Sequence, residues 1–360
     1  MEYEEQFHDM FSEMNKCLQV DVLQVANDQV DLHLPKFSID LLLKLLSAVK
    51  EIFRKEPIVL NVNSPITVIG DLHGHFLDLI RILQANGLPV KKQLLFLGDF
   101  VDRGEFSIET VIYIYLLKFH YPDNVKIIRG NHEFEYICSA SGFSTEIQNF
   151  YGSLQLFYAF MESFSYFPLA AVIDDSILAV HGGIGPTFNS VEQIRAMKRP
   201  IVEFGDPNLD SILWSDPASS ANAASLQIDD DQAPIQLTEK SENGLSNLPP
   251  SPTPGGSSPF LNGIRPDSPK TKRNYDSIEY IHDEPTLTDG FIPSKRGSGY
   301  IFGKDVLQSF LESNRFTKLI RGHECVQDGI LEAFDGLIVT VFSASNYCGT
   351  VGNKAATLTI

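Results

Sequence analysis

Positive charge is what this 360-residue chain has least of: 28 Lys and Arg stand against 46 Asp and Glu, a formal net charge of -18. A nucleic-acid binder leaves a basic footprint, and anionic membranes select for one too, so both partners are set aside. An acidic surface suits basic protein substrates instead. Cysteine is scarce as well. Cys17, Cys138, Cys325 and Cys348 have the spacing of neither a disulfide framework nor a zinc site. Reduced thiols in the cytoplasm or nucleus are therefore expected. No apolar run approaches the ~18 residues of a membrane span. The acidic start Met1-Glu2-Tyr3-Glu4-Glu5 is unlike a secretion signal, which opens basic and turns apolar. There is no internal repeat. What the chain does have is apolar mass: 43% of its residues are hydrophobic, enough for a sizeable core.

That mass is arranged in a repeating event. Short apolar runs at Ile66–Ile69, Leu94–Leu97 and Val125–Ile128 read as buried strands, with helical segments between them. Each run ends in a glycine and then a metal-type ligand: Gly70-Asp71-Leu72-His73-Gly74, Gly98-Asp99-Phe100-Val101-Asp102-Arg103-Gly104, and Gly130-Asn131-His132-Glu133. In open α/β sheets the ligand crevice lies beyond the carboxyl ends of the strands. The topology therefore brings Asp71, His73, Asp99, Asn131 and His132 together. Carboxylate and amide oxygens gathered with imidazoles describe a site for two divalent cations that hold a phosphate ester.

Elsewhere the periodicity predicts an amphipathic helix over Ser38–Phe53, a buried helix over Ser107–Phe119 and one or two helices over 143–164. The aromatic stretch Tyr151–Phe167 reads as core. A hairpin is predicted over Leu169–Ile173 and Ile177–Val180, ending in His181-Gly182-Gly183. Further on, a helix over 303–313, a strand over Lys318–Arg321 leading to Gly322-His323, and a strand over Leu337–Phe342 precede Asn346-Tyr347-Cys348-Gly349. A last β-like run covers Ala356–Ile360. Composition divides the chain into an acidic helical extension (1–34), a first catalytic segment (35–217), a Ser/Pro-rich insertion (218–293) and a second catalytic segment (294–360). The insertion holds too little apolar area to offset its ordering entropy, so disorder is expected there. It carries Ser251-Pro252, Thr253-Pro254, Ser258-Pro259 and Ser268-Pro269, readable as proline-directed kinase sites, and the basic cluster Lys270-Thr271-Lys272-Arg273.

Six motifs in order (Gly70–Gly74, Gly98–Gly104, Gly130–Glu133, His181–Gly183, Arg321–His323 and Asn346–Gly349) resemble the phosphoprotein phosphatase family of serine/threonine protein phosphatases, near the type-1 and type-2A catalytic subunits. The resemblance runs from about Pro35 to Ala355, broken by the insertion. It implies an α/β, metallophosphoesterase-like β-sandwich of mixed sheets flanked by helices, as a single catalytic domain. It implies that Asp71, His73 and Asp99 hold one metal and that Asp99, Asn131, His181 and His323 hold the other. Asp99 would bridge, one oxygen to each cation. Hydroxide shared by the metals would attack phosphorus directly, with no phosphoenzyme. His132, oriented by Asp102, would protonate the leaving serine or threonine oxygen. Arg103, Arg296, Asn131 and Tyr347 would bind the substrate phosphate. Glu133 would support the ligands by hydrogen bonding, not ligate. The resemblance favours manganese, or iron with zinc, and implies phosphoprotein substrates with regulatory or targeting subunits.

The chain departs from the family pattern in places. Lys295 precedes Arg296 where the family has Asp, Ser345 replaces Pro, and Gly185 replaces Ser. The family normally adds another strand after the point where this chain ends. From Asp216 to Arg296 there are 80 positions, where the family needs a short loop. The insertion is therefore expected to gate or dock substrates. Two rival readings remain: a diadenosine tetraphosphate hydrolase of the same superfamily, and an inactive, phosphatase-shaped binding module.

Overall fold

The computed structural model describes residues 3–27, 29–218 and 290–360. The bulk of the proposed insertion, its Ser-Pro and Thr-Pro sites and the 270–273 basic cluster lie outside the described residues.

Alternation along the strands builds the layers. In β3 (Gln93–Phe96), Leu94 and Phe96 face one apolar cluster, while Leu95 and the following Leu97 face another. In β5 (Ala170–Ile173), Ala170 and Val172 face outward to helices, while Ala171 and Ile173 face inward. Both faces are covered, so β5 and the Leu94–Phe96 part of β3 are buried, as the unbroken apolar runs require. The inner cluster joins two sheets face to face.

The larger sheet has six strands in the order β1 (Val59–Val62), β5, β6 (Ile177–Val180), β10 (Lys318–Arg321), β12 (Ile338–Val341), β11 (Ile330–Ala333). The second has four: β13 (Thr357–Thr359), β2 (Ile66–Ile69), β3, β4 (Val125–Ile127). Both mix parallel and antiparallel pairs. The expected sandwich of mixed sheets is therefore present. A small third sheet joins β7 (Asp216–Pro217), β9 (Tyr300–Phe302) and β8 (Phe291–Pro293). Composition alone assigns 218 and 290–293 to the insertion. Yet Ala218 N–H donates to Phe302 O at 2.8 Å, and β8 pairs with β9, so both edges belong to the fold.

Helices cover both outer faces. α1 (Glu4–Asn15), α3 (Ile39–Lys55), α4 (Phe76–Asn86), α5 (Ser107–His120), α7 (Phe143–Tyr151) and α8 (Leu154–Phe164) pack on the four-stranded sheet; the short α2 (Val22–Ala26) adds Val22 to that cluster, and α6 (Glu135–Ser141) joins through Cys138. α9 (Val191–Arg195), α10 (Pro207–Trp214) and α11 (Lys304–Asn314) pack on the six-stranded sheet. Local chemistry sets the ends. Ser38 caps α3 by accepting from Leu41 N–H, with Asp40 in the first turn and Arg54 and Lys55 in the last. α5 has no cap of its own. The Glu146 carboxylate on α7 accepts from Ser107 and Ile108 N–H at 3.3 and 3.1 Å, which fixes where the 99–104 loop enters the helix.

The far end of α5 is held by a buried cation. Lys118 is fully buried; it donates to Glu56 Oε1 at 2.5 Å and to the carbonyls of Pro122 and Val125 at 3.1 and 2.8 Å. Burial lowers it to about 8, against the pull of Glu56. Removing one member of a buried pair strands the other. Lys118→Met should cost on the order of 3 kcal/mol in urea unfolding and leave kcat of the folded protein unchanged. A loss under about 1 kcal/mol would show that solvent or Lys126 already compensates Glu56.

Candidate metal centre

Every strand that points at the site ends in a loop stitched to its neighbour. Leu72 and His73 N–H both donate to Asp99 O at 2.9 Å, Gly74 N–H donates to Phe100 O, and Gly104 N–H returns to His73 O. The two sheets meet where Asp71 bridges to Phe342 and Ser343 N–H donates to Asp71 O at 3.0 Å. Asp71, His73, Asp99, Asn131 and His132 thus come from the four-stranded sheet, and His181 and His323 from the ends of β6 and β10 in the other.

The Asp99 carboxylate lies at the centre, 1% exposed. Its Oδ1 accepts His132 N–H at 3.0 Å. Its Oδ2 lies 3.5 Å from His73 Nε2 and 3.3 Å from His181 Nε2. The expected bridge places one oxygen on each cation. Oδ1 meets the backbone and Oδ2 faces imidazoles on both sides. On one side, His73 Nε2 is 3.7 Å from Asp71 Oδ2. On the other, Asn131 Oδ1 lies 2.8 Å from His181 Nε2 and 3.0 Å from His323 Nδ1. Among the described residues, His73, Asp99 and His132 form one group able to hold an ion, and Asp99, His181 and His323 another.

Outer contacts aim the ligand atoms. His73 Nδ1 donates to Val101 O and His181 Nδ1 to Leu97 O, both at 2.9 Å, which turns each Nε2 lone pair inward. His132 is held differently: its Nδ1 lies 2.7 Å from Asp102 Oδ2, and Asp102 Oδ1 accepts Phe143 N–H. Asp71 Oδ1 accepts His323 N–H at 3.0 Å, while its buried Oδ2 and His323 Nε2 have no hydrogen-bond partner. The unpartnered buried Asp71 oxygen is what a cation site presents, whereas His323 turns Nδ1 toward Asn131 and its Nε2 toward Asp216, 3.9 Å away. The donor set of carboxylates, one amide and imidazoles fits divalent transition metals.

Burial and the close packing of carboxylates and imidazoles shift the groups of the site. Burial pushes Asp71 up to about 7, against the pull of His181. Burial alone would lower His181, but Asp99 and Asp71 outweigh it and hold it at about 9. Burial depresses His73 and His323 well below the usual histidine range, helped by His132 and Arg296 respectively.

Glu133 is a support, as expected. Its carboxylate accepts from Asp99, Phe100 and Gly130 N–H at 2.9, 2.8 and 2.9 Å, tying two ligand loops together. Arg103 is exposed and close enough to His73, His132 and Tyr347 for each to feel its charge. The Tyr347 ring centre lies 5.2 Å from that of His73. Arg296 sits beside His323, its Nε donating to Asp216 Oδ2 at 2.9 Å. That carboxylate also accepts Arg321 Nη2 at 2.6 Å, and Arg321 Nη1 pairs with Glu324 at 2.7 Å. Asp216 and Arg321 fall within recognisable motifs, but no role for either follows from sequence. Their one signal is a charge at each of two otherwise apolar strand ends.

Known proteins resemble this chain along most of its length. Residues 64–238 match the family described as calcineurin-like phosphoesterase. The PP2A-like serine/threonine-protein phosphatase PPG1 of Saccharomyces cerevisiae is 33% identical over 310 residues, 86% of this chain and 69% of that protein. A protein phosphatase 2A catalytic subunit of Dictyostelium discoideum is 32% identical over 87% of this chain and 79% of its own length. Among solved structures, a protein serine/threonine phosphatase from Saccharomyces cerevisiae with similarity to human phosphatase PP5 superposes with a TM-score of 0.69 at 26% identity, covering 94% of this chain and 87% of that one.

Two outcomes test the centre. A Cβ on Gly130 would lie 2.1 Å from Asp99 Oδ1, so Gly130→Ala should purify with reduced metal content and an unchanged far-UV spectrum. Full metal content in the variant would show that Asp99 can shift without loss. Chelation should lower the melting temperature of the wild type, because buried Asp71 and Asp99 lose their counter-charge, and Mn2+ should restore it. An unchanged melting temperature after verified metal removal would contradict the assignment.

Proposed function

The chain belongs to the calcineurin-like phosphoesterases, among the PP2A-like serine/threonine-protein phosphatases, and from that premise we propose how its own residues carry the reaction. It is a metal-dependent protein serine/threonine phosphatase using two divalent cations. Asp71, His73 and Asp99 would hold one cation, and Asp99, Asn131, His181 and His323 would hold the other. The mixed oxygen and nitrogen donors suit manganese, or iron with zinc. When bound, the pair supplies Lewis-acid polarisation of the phosphoryl oxygens and acidifies water to the nucleophile.

The protein residues do the rest. Arg103 and Arg296 fork onto the phosphoryl oxygens, a task for a planar guanidinium. Asn131 and Tyr347 border the same phosphate. Phosphorus gains an oxygen from water and loses the substrate oxygen, which must leave with a proton. His132 delivers that proton. Its Nδ1 is tied to Asp102, so Nε2 is the free edge of the ring. Burial would lower His132, but Asp99 and then Asp102 outweigh it and raise it above the usual histidine range. Fixing the donor in this way removes reorganisation at the moment of transfer.

Substrates are phosphoserine and phosphothreonine proteins, chosen through surface contacts and through regulatory or targeting subunits. The single observation that carries this reading is the Asp99 carboxylate facing imidazoles from both sheets while its other oxygen holds His132 in place.

Phosphate release from a phosphoserine peptide should require added Mn2+ after chelation. His132→Ala should lose about 10²- to 10⁴-fold in kcat with its metals retained. The loss should be smaller on p-nitrophenyl phosphate, whose leaving group needs no proton. Equal losses on both substrates would remove His132 as the acid; no metal-dependent turnover would leave a phosphatase-shaped binding module.

A further inference from the structure

Tyr347 lies between two left-handed residues, Asn346 at φ 45° and Cys348 at φ 53°, a region that Asn tolerates and Cys rarely adopts. Such a loop keeps one shape only if it is held from outside. One hold is local. Asn353 Oδ1 accepts Tyr347 N–H at 2.8 Å, Asn346 N–H donates to Asn353 O at 2.9 Å, and Asn353 Nδ2 donates to Ala344 O at 2.8 Å.

The second hold reaches across to α4. Asp78 is 3% exposed on that helix, which follows directly from the Asp71–Gly74 ligand loop. Its Oδ2 accepts Ser345 N–H at 2.7 Å. The Ser345 hydroxyl lies 2.9 Å from both Asp78 oxygens and donates into the carboxylate. Arg81 Nη1 closes the ring, donating to Asp78 Oδ1 at 2.7 Å and to Ser345 Oγ at 3.2 Å. Ser345 is the position where the resembling family has proline. Proline has no N–H and no hydroxyl, so it could make neither of the bonds from Ser345 to Asp78. This chain has a charge-assisted anchor in place of ring stiffness.

We propose that Asp78 and Ser345 are positioning residues for the phosphatase reaction, holding Tyr347 over His73 so that the substrate phosphate meets a preformed wall. This rests on Tyr347 bordering the phosphate pocket. Asp78 itself touches neither cation nor substrate. It fixes the loop relative to the helix that carries the His73 end of the site, so a slack anchor weakens substrate binding before it affects chemistry. Charge-assisted hydrogen bonds are the stronger kind, so their loss is measurable in KM.

Steady-state kinetics on a phosphoserine peptide, with metal content measured in every preparation, test this. Ser345→Ala and Asp78→Asn should raise KM about three- to tenfold, the scale of one hydrogen bond to a charged group, with kcat and metal content near wild type. Ser345→Thr, which keeps the hydroxyl and the N–H, should restore KM. In a Tyr347→Ala background, Ser345→Ala should add nothing further. An unchanged KM, effects that add to Tyr347→Ala, or a fall in kcat together with metal content would each overturn the inference. The last would mean the network serves Asp71, not Tyr347. A wild type that binds metals yet releases no phosphate overturns the phosphatase reading itself, and this inference with it.

Discussion

One carboxylate organises the molecule. Asp99 spends Oδ1 on the His132 backbone N–H and leaves Oδ2 between His73 and His181. The ligand loops of the four-stranded sheet are thereby locked to each other before any cation arrives. The six-stranded sheet contributes the remaining imidazoles. Asp99 Oδ2 faces an imidazole from each sheet, so the packing of the two sheets sets the geometry of the site.

The local cost of this arrangement is visible in the backbone. His73, Asp99, Asp102, Arg103 and His323 all have positive φ, between 42° and 70°. Non-glycine residues adopt that region only where surrounding contacts over-determine it. Here those contacts are the three N–H groups on Glu133, the paired donors on Asp99 O and the Asp71 oxygen on His323 N–H. These contacts hold the left-handed loops in one arrangement.

Much of this was legible in the sequence, and for physical reasons. A buried strand must be apolar and short, so Leu94–Leu97 announced itself, and the polar residues just beyond it had to be special. The pattern could not show which oxygen of Asp99 faces both imidazoles, because that depends on a hydrogen bond to a residue 33 positions away. Nor could it show Glu146 capping α5, Asp78 anchoring Ser345, or Asp216 holding Arg296. Those are contacts between residues that sequence order separates. The strands β1, β7, β8, β9 and β11 were missed: β7, β8 and β9 have only two or three residues, and the apolar runs Val59–Val62 and Ile330–Ala333 are interrupted by Asn61 and Glu332. The left-handed residues were invisible for a simpler reason: Asp, His and Arg are ordinary residues in every other setting.

The most direct test is an anomalous difference map from crystals equilibrated with Mn2+. It should show two peaks about 3.5–4 Å apart, flanking Asp99 Oδ2, one toward Asp71 and His73 and the other toward Asn131, His181 and His323. A single peak, or peaks that share no Asp99 oxygen, would contradict the claim that this carboxylate joins the two halves of the site.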